Sequence, residues 1–363
     1  MNDFKAESLE IRAAMLDAIR RVLDSGWYIL GKEVKAFERQ WAEICGVSYG
    51  VGVGNGMDAI EVALRAAGIG PGHEVITTSM TAFASVLAIL RAGATPVLAD
   101  IDPNTGLLSR DSVKRCLSIN TKAIVLVHLY GQVRDMAAWQ IFCKEYGIAL
   151  IEDCAQAHLA TWRGQVAGSF GLAGAYSFYP TKNHGAVGDA GILVCQDSAF
   201  AEQAGRLRNY GQSERYYHPE LGMNSRLDEI QAAILAARLP WLTSFTERRS
   251  EIAQFYHKDI KHPKIKKLAL PEESMSHVYH LYVITSPDRV ALIQHLQHQD
   301  IQTLIHYPVP VHQQKSCLSI RRDPAGLPAC ERHAAECLSL PCHPQMTDDD
   351  VGRVIDAVNT WRI

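Results

Sequence analysis

From about residue 50 to residue 195, short apolar runs take turns with helix-patterned stretches, and few folds accept that alternation. The runs are YGVGVG (49–54), EVITT (74–78), TPVLADI (95–101), KAIVLVHLY (122–130), IALIED (148–153), GAYSFY (174–179) and AGILV (190–194). Between them lie segments such as MDAIEVALRAAG and AFASVLAILRAG, each closed by a glycine suited to a helix C-terminus. Most of the runs are apolar at successive positions, as strands covered on both faces must be. Strand and helix in turn predict βαβ units and a mostly parallel sheet between two helical layers. The expected fold class is α/β, with a large α/β/α domain.

Near residue 240 the pattern changes. The segment NSRLDEIQAAILAARLPWLTSFTERRSEIAQFYHKDI reads as one or two long helices, with Pro240 placed to end or kink the first. Beyond it come the strand-like HVYHLYVIT (277–285), the helical DRVALIQHLQHQD, a proline-punctuated loop IHYPVPVH and a last helix, TDDDVGRVIDAVNTW, with Thr347 as its N-cap. Residues 1–240 are therefore expected to form the large domain, N-terminal helical segment included, and residues 241–363 a smaller α+β domain.

Charge and cysteine content narrow the function. Thirty-six basic side chains stand against 39 acidic ones, a formal charge of −3, which gives no electrostatic case for nucleic acid or an anionic membrane. A local basic pocket for a phosphorylated small molecule is still allowed. The amino terminus is charged and helix-patterned rather than built around a signal-peptide core, and no run approaches the ~18 apolar residues of a membrane span. Nine cysteines scattered from Cys45 to Cys342 do not make a disulfide framework, so the expected location is cytoplasmic. Cys330, His333 and Cys337 have the residue types of a metal site, but no C-x2-C knuckle accompanies them. A helix face of small buried cysteines is the expectation there, and no metal.

Four polar clusters fall at or just after strand ends, the edge at which open α/β sheets bind ligands. In GVGNGMDAI (52–60), Gly54, Asn55 and Gly56 follow a strand and Asp58 opens a helix. Free amides and a positive dipole end there suit a phosphate, although a plain strand-to-helix turn has the same sequence. In IEDCAQAH (151–158), Glu152 and Asp153 end an apolar run, so at least one carboxylate is poorly solvated and needs a partner, unless the segment is simply an acidic loop in water. In AYSFYPTKNHGAVGDAG (175–191), Lys182 has almost no charged company. An amine screened from water loses its proton more readily and attacks carbonyls, whereas a lysine snorkelling to the surface does neither. Together a phosphate cradle, a carboxylate at a strand end and a reactive lysine are the parts that hold pyridoxal phosphate.

These motifs resemble those of the DegT/DnrJ-type sugar aminotransferases, fold-type-I pyridoxal phosphate enzymes that act on nucleotide-linked keto sugars. The likeness runs from SGWYILGKEVKAFE (25–38) to the last helix, through GNGMDAI, AGATPVLADID, IEDCAQAH, GAYSFYPTKN, LRNYGQ and GMNSRLDEIQAAIL. The resemblance implies that Lys182 is the Schiff-base lysine and proton shuttle, that Asp153 pairs with the pyridine nitrogen and that Gln156 bonds the ring hydroxyl. It implies that the amides around Gly56, Met57 and Asp58 hold the phosphate with the Ser177 hydroxyl, and that Asn224 reaches it from the neighbouring subunit of a homodimer. Phe83 is the ring-stacking candidate, because Ala82 stands where other members carry an aromatic. Tyr179 replaces a frequent histidine in the substrate site, and His184 takes a usually apolar place. Relatives that dehydrate sugars carry histidine at the lysine position, so Lys182 implies transamination through pyridoxamine phosphate, with L-glutamate as amino donor.

The fourth cluster, TLIHYPVPVHQQ (303–314), resembles the segment of members that aminate C-3 of a dTDP-linked 3-oxo-6-deoxyhexose. It offers His306, Tyr307 and His312 to the sugar or its diphosphate, unless it is a mere connector. The rivals are amination at C-4 of a 4-oxo sugar, a pyridoxal phosphate lyase using Arg321, Arg322 or Arg332 for a carboxylate, and a regulator that kept the fold without the chemistry.

Overall fold

A computed structural model describes residues 4–362; residues 1–3 and 363, which the expected domains include, lie outside the described residues. The first part of the chain folds as helices α1 (Leu9–Ser25) and α2 (Lys32–Cys45), then β1 (Tyr49–Val53), α3 (Gly56–Ala66), β2 (Glu74–Thr78), α4 (Phe83–Arg91) and β3 (Thr95–Ala99). It continues through α5 (Arg110–Cys116), β4 (Thr121–Val127), α6 (Met136–Tyr146) and β5 (Ala149–Asp153). A two-strand flap, β6 (Thr161–Trp162) and β7 (Gln165–Val166), precedes β8 (Ala173–Ser177), β9 (Gly191–Cys195) and α7 (Ser198–Leu207). The remainder is α8 (Glu229–Asp259), β10 (Lys266–Lys267), β11 (Tyr282–Thr285), α9 (Arg289–Gln297), β12 (Arg321–Arg322), α10 (Pro328–Glu336), β13 (Cys337–Leu340) and α11 (Asp348–Thr360).

All seven apolar runs become strands of one eight-stranded sheet in the order β1-β9-β8-β5-β4-β2-β3-β12. Only β9 runs against its neighbours; the other pairings are parallel. Alternate strand residues feed two cores. Ile76, Ile124 and Leu126 pack with α2, α5 and α6 on one face, while Val75, Val125 and Ile151 pack with α3, α4 and α7 on the other. That two-sided burial explains why the runs are apolar throughout.

Helix α8 passes through Pro240 without a break. Ala233 packs with Ala18 and Val22 of α1, while Ile252, Ala253 and Tyr256 enter the core of the C-terminal part, so packing at both ends sustains the helix. A three-stranded antiparallel sheet, β10-β11-β13, forms that part with α9 and α11. We keep 1–240 and 241–363 as a proposed division, with α8 as shared spine and β12 lending an edge strand to the large sheet. Two expectations need correction. The strand proposed for 277–285 is confined to 282–285, because Tyr279 adopts a left-handed conformation (φ 44°) that no regular strand accepts. Cys337 leaves the helix and opens β13, while Cys330 stays on α10; both are buried beside Leu98 and Tyr130.

Candidate active site

The C-terminal ends of β5 and β8 and the N-terminus of α3 converge. Asn55 caps α3, its side-chain oxygen accepting from the Asp58 amide at 2.9 Å. That bond takes the Asp58 amide, so Gly56 and Met57, at the first two helical positions, present amides without intrahelical partners. A methyl at Gly56 would stand 2.6 Å from Ser177 Cβ, so glycine is what lets α3 close onto the end of β8. The Asp58 carboxylate faces elsewhere: it accepts from Ser225 Oγ at 2.6 Å and from Arg91 at 3.3 Å. Ser225 in turn accepts from the Gly54 amide at 2.9 Å, which ties the 224–225 segment to the glycine turn. Asn224 itself is exposed.

Glu152 and Asp153 are adjacent on β5, so their side chains leave opposite faces of the sheet. Both are buried. Asp153 Oδ2 accepts from Ser85 Oγ at 2.7 Å and Oδ1 from the Ala155 amide at 3.1 Å. Gln156 Oε1 accepts from the Tyr130 amide at 2.6 Å, which leaves Nε2 to donate to the Tyr307 hydroxyl at 3.3 Å. Glu152, on the other face, accepts from three backbone amides and from His128. His128, Glu152 and Cys154 have the makings of a metal cluster by proximity, but this saturated carboxylate reads as a structural hub.

Lys182 lies in the 178–190 connection between β8 and β9. Its amide donates to the Tyr179 carbonyl at 2.8 Å, and a methyl at Gly185 would stand 2.3 Å from the Pro180 carbonyl oxygen, so the reversal requires glycine. Burial pushes the Lys182 amine down to about 8, opposed by the Asp153 carboxylate. His306 is held down to about 4 by burial and by the charge of Lys182, and so stays neutral at the mouth of the site. Tyr307 is pushed up to about 12 by burial and by Asp153, and keeps its proton. His184, two residues on from Lys182, points into the core, stacked on Trp41 at 5.4 Å and 3°.

The structure thus brings Lys182, Asp153, Gln156, His306 and Tyr307 together, with Gly56, Met57 and Ser177 at the adjoining helix terminus. Tyr179 is half exposed, and Phe83 opens α4 two positions before Ser85. His312 is turned away: its ring nitrogens are taken by Ser79 Oγ at 2.7 Å and Glu331 at 3.0 Å, so it fastens the 306–312 loop to the end of β2 instead of meeting a sugar. Arg321 binds Glu74 and the Cys116 carbonyl at the sheet edge, which removes it as a carboxylate clamp; Arg322 and Arg332 are exposed on β12 and α10. Ser85 and Tyr130 escaped the sequence reading. The available signal was a lone hydroxyl in the apolar helix FASVLAILR.

A partly buried, desolvated amine within electrostatic reach of a buried carboxylate, at the carboxyl edge of a parallel sheet and next to free helix-terminal amides, fits pyridoxal phosphate and defines a fold-type-I enzyme of that cofactor. The profile of the DegT/DnrJ/EryC1/StrS aminotransferase family matches residues 9–359, and the chain belongs to that family. It is 44% identical over 359 residues to the dTDP-3-amino-3,6-dideoxy-alpha-D-galactopyranose transaminase of Aneurinibacillus thermoaerophilus, covering 99% of this chain and 98% of that one. It is 42% identical over 359 residues to the dTDP-3-amino-3,4,6-trideoxy-alpha-D-glucose transaminase of Streptomyces venezuelae, covering 99% and 95%. The crystal structure of S. venezuelae DesV in complex with a ketimine intermediate superposes with a TM-score of 0.96 at 42% identity, covering 99% and 98%. The protein is a pyridoxal-phosphate-dependent aminotransferase. No helix among the described residues is long and apolar enough to cross a membrane.

Proposed function

We propose that this aminotransferase acts on a nucleotide-linked keto sugar and aminates C-3 of a dTDP-3-oxo-6-deoxyhexose, with L-glutamate as donor, in the cytoplasm. The observation that carries the transamination chemistry is the placement of Lys182 between β8 and β9, within electrostatic reach of Asp153, where burial pushes its amine down to about 8. Two relatives whose names place the amino group at C-3 support the regiochemistry, as does the 303–314 loop that delivers His306 and Tyr307 to the lysine and to Gln156.

When bound, pyridoxal phosphate supplies an aldehyde and an electron-withdrawing ring. The Gly56 and Met57 amides and the Ser177 hydroxyl would hold its phosphate, Asp153 would keep its ring nitrogen protonated and Gln156 Nε2 would orient its hydroxyl. In its unprotonated form, made more accessible by the lowered pKa, Lys182 would take a proton from the donor's α-carbon and return one at the sugar carbon. His306, Tyr307 and Tyr179 line the sugar side.

On this reading Asn224 would reach the phosphate of a second subunit. Its exposure supports this, and so do Tyr216 and Leu221, 77% and 89% exposed in the segment leading to it, which a monomer has little reason to display. Sedimentation is expected to give a dimer, and Asn224→Ala to weaken cofactor retention; a monomer that retains the cofactor would overturn the shared site.

The substrate test uses the protein loaded with pyridoxamine phosphate. Adding the dTDP-linked 3-oxo-6-deoxyhexose is expected to restore the visible absorbance of the aldehyde form and give a product with the mass of the amino sugar. Recovery with the 4-oxo sugar alone would overturn C-3. Recovery with neither, but ammonia or pyruvate from an amino acid, would replace transamination by lyase chemistry.

A further inference from the structure

We propose that Ser85, itself oriented by Thr81, is a positioning residue that sets the Asp153 carboxylate toward the cofactor ring. The inference rests on the reading of Asp153 as partner of the ring nitrogen.

The geometry fixes the direction of the chain. An ionised carboxylate only accepts, so the 2.7 Å contact between Ser85 Oγ and Asp153 Oδ2 consumes the one proton of the serine. Thr81 Oγ1 lies 2.9 Å from Ser85 Oγ and must then be the donor there. The result is a one-way relay, Thr81 to Ser85 to Asp153, across residues that are 4%, 1% and 6% exposed. A serine inside a helix ordinarily returns its proton to a carbonyl one turn back. Ser85 instead sends it out of α4 to the end of β5, across 68 residues of sequence.

Asp153 is thereby held by donors from two directions, Ser85 on Oδ2 and the Ala155 amide on Oδ1. Two donors on different oxygens fix the carboxylate plane, which one bond alone would leave free to turn. A ring nitrogen brought to that plane meets a pre-set acceptor, and ordering costs less on binding. Thr81 precedes α4 and Ser85 sits in its first turn, so the relay also couples the position of α4, with Phe83 at its start, to the carboxylate.

The test measures pyridoxal phosphate affinity of apoprotein by equilibrium dialysis, with the circular dichroism of the bound cofactor as a second readout. Ser85→Ala is expected to weaken affinity on the order of 10- to 100-fold, the loss of a hydrogen bond to a charged group, and to reduce the cofactor's dichroic signal. Ser85→Thr, which keeps the hydroxyl, is expected to restore both. Thr81→Val should give a smaller loss of the same kind and serves in place of Ser85→Ala if that variant does not fold. Asp153→Asn separates the two readings. If it leaves affinity unchanged, the pairing of Asp153 with the ring nitrogen fails. If it weakens affinity while Ser85→Ala and Thr81→Val do not, the relay alone fails. In the Asp153→Asn background, Ser85→Ala is expected to add little, because both act through one carboxylate. Full additivity would assign Ser85 to packing and overturn the proposal.

Discussion

Lys182→Ala is expected to lower amino transfer by at least ~10²–10⁴-fold, the range of a positioned acid–base group, while the apoprotein stays folded. Turnover near the wild-type rate would remove Lys182 from the chemistry. The same substitution site predicts a gain in stability. In the fold burial disfavours the charge and pushes the amine down from an ordinary 10.5 to about 8, with Asp153 opposing the shift. The unfolded chain therefore binds this proton more tightly than the native one. The cost is present in full below pH 8, fades as pH rises toward 10.5 and is absent above it. Lys182→Met keeps the length of the side chain without the charge. Apoprotein carrying it is expected to be more stable at pH 7, on the order of 3 kcal/mol, with the gap closing by about pH 10.5. Urea denaturation at pH 7 and pH 10 reads this directly. No gain at pH 7, or a gap that widens with pH, would show that the amine is solvated and has no reason to be nucleophilic.

That a catalytic lysine destabilises its own fold bears on what a sequence displays. Lys182 stood out because an amine in an uncharged run contradicts its surroundings, and local contradictions are where function collects. The strands were legible for the opposite reason: two-sided burial makes each run apolar throughout, and the structure places all seven within three residues of their expected ends. The pieces that escaped depend on distant partners. Strand β12 is two residues long and exists only because β3 offers an edge. His312 looked like a substrate contact because nothing near it in sequence announces Ser79 or Glu331. Ser85 is bland until folding sets it against Asp153.

Glu152 shows the same principle at its largest expected cost. The sequence indicated a poorly solvated carboxylate in IEDC without saying which of the two, or what would hold it. Both are buried, and the alternation of β5 divides them: Asp153 faces the cofactor site, and Glu152 the opposite layer. There Oε1 accepts from the Phe170 and Gly171 amides at 2.7 and 2.9 Å, and Oε2 from the Gly168 amide at 2.8 Å and His128 Nε2 at 2.9 Å. The carboxylate is thus what the 168–171 loop folds around before β8 can pair with β5. Glu152→Ala strands three amides and an imidazole in a dry interior, with an expected loss of about 3–5 kcal/mol. Glu152→Gln is nearly isosteric but turns one acceptor oxygen into an N–H2 group facing a backbone N–H, so about 1–3 kcal/mol should go even without a cavity. Because β5 also carries Asp153, cofactor affinity should fall alongside stability in both variants. Ser85→Ala, by contrast, is expected to cost affinity with a smaller loss of apoprotein stability than Glu152→Ala. Urea denaturation followed by far-ultraviolet dichroism distinguishes the two. A loss below ~0.5 kcal/mol in Glu152→Ala, the range of ordinary surface changes, would mean that the loop holds its shape without the carboxylate.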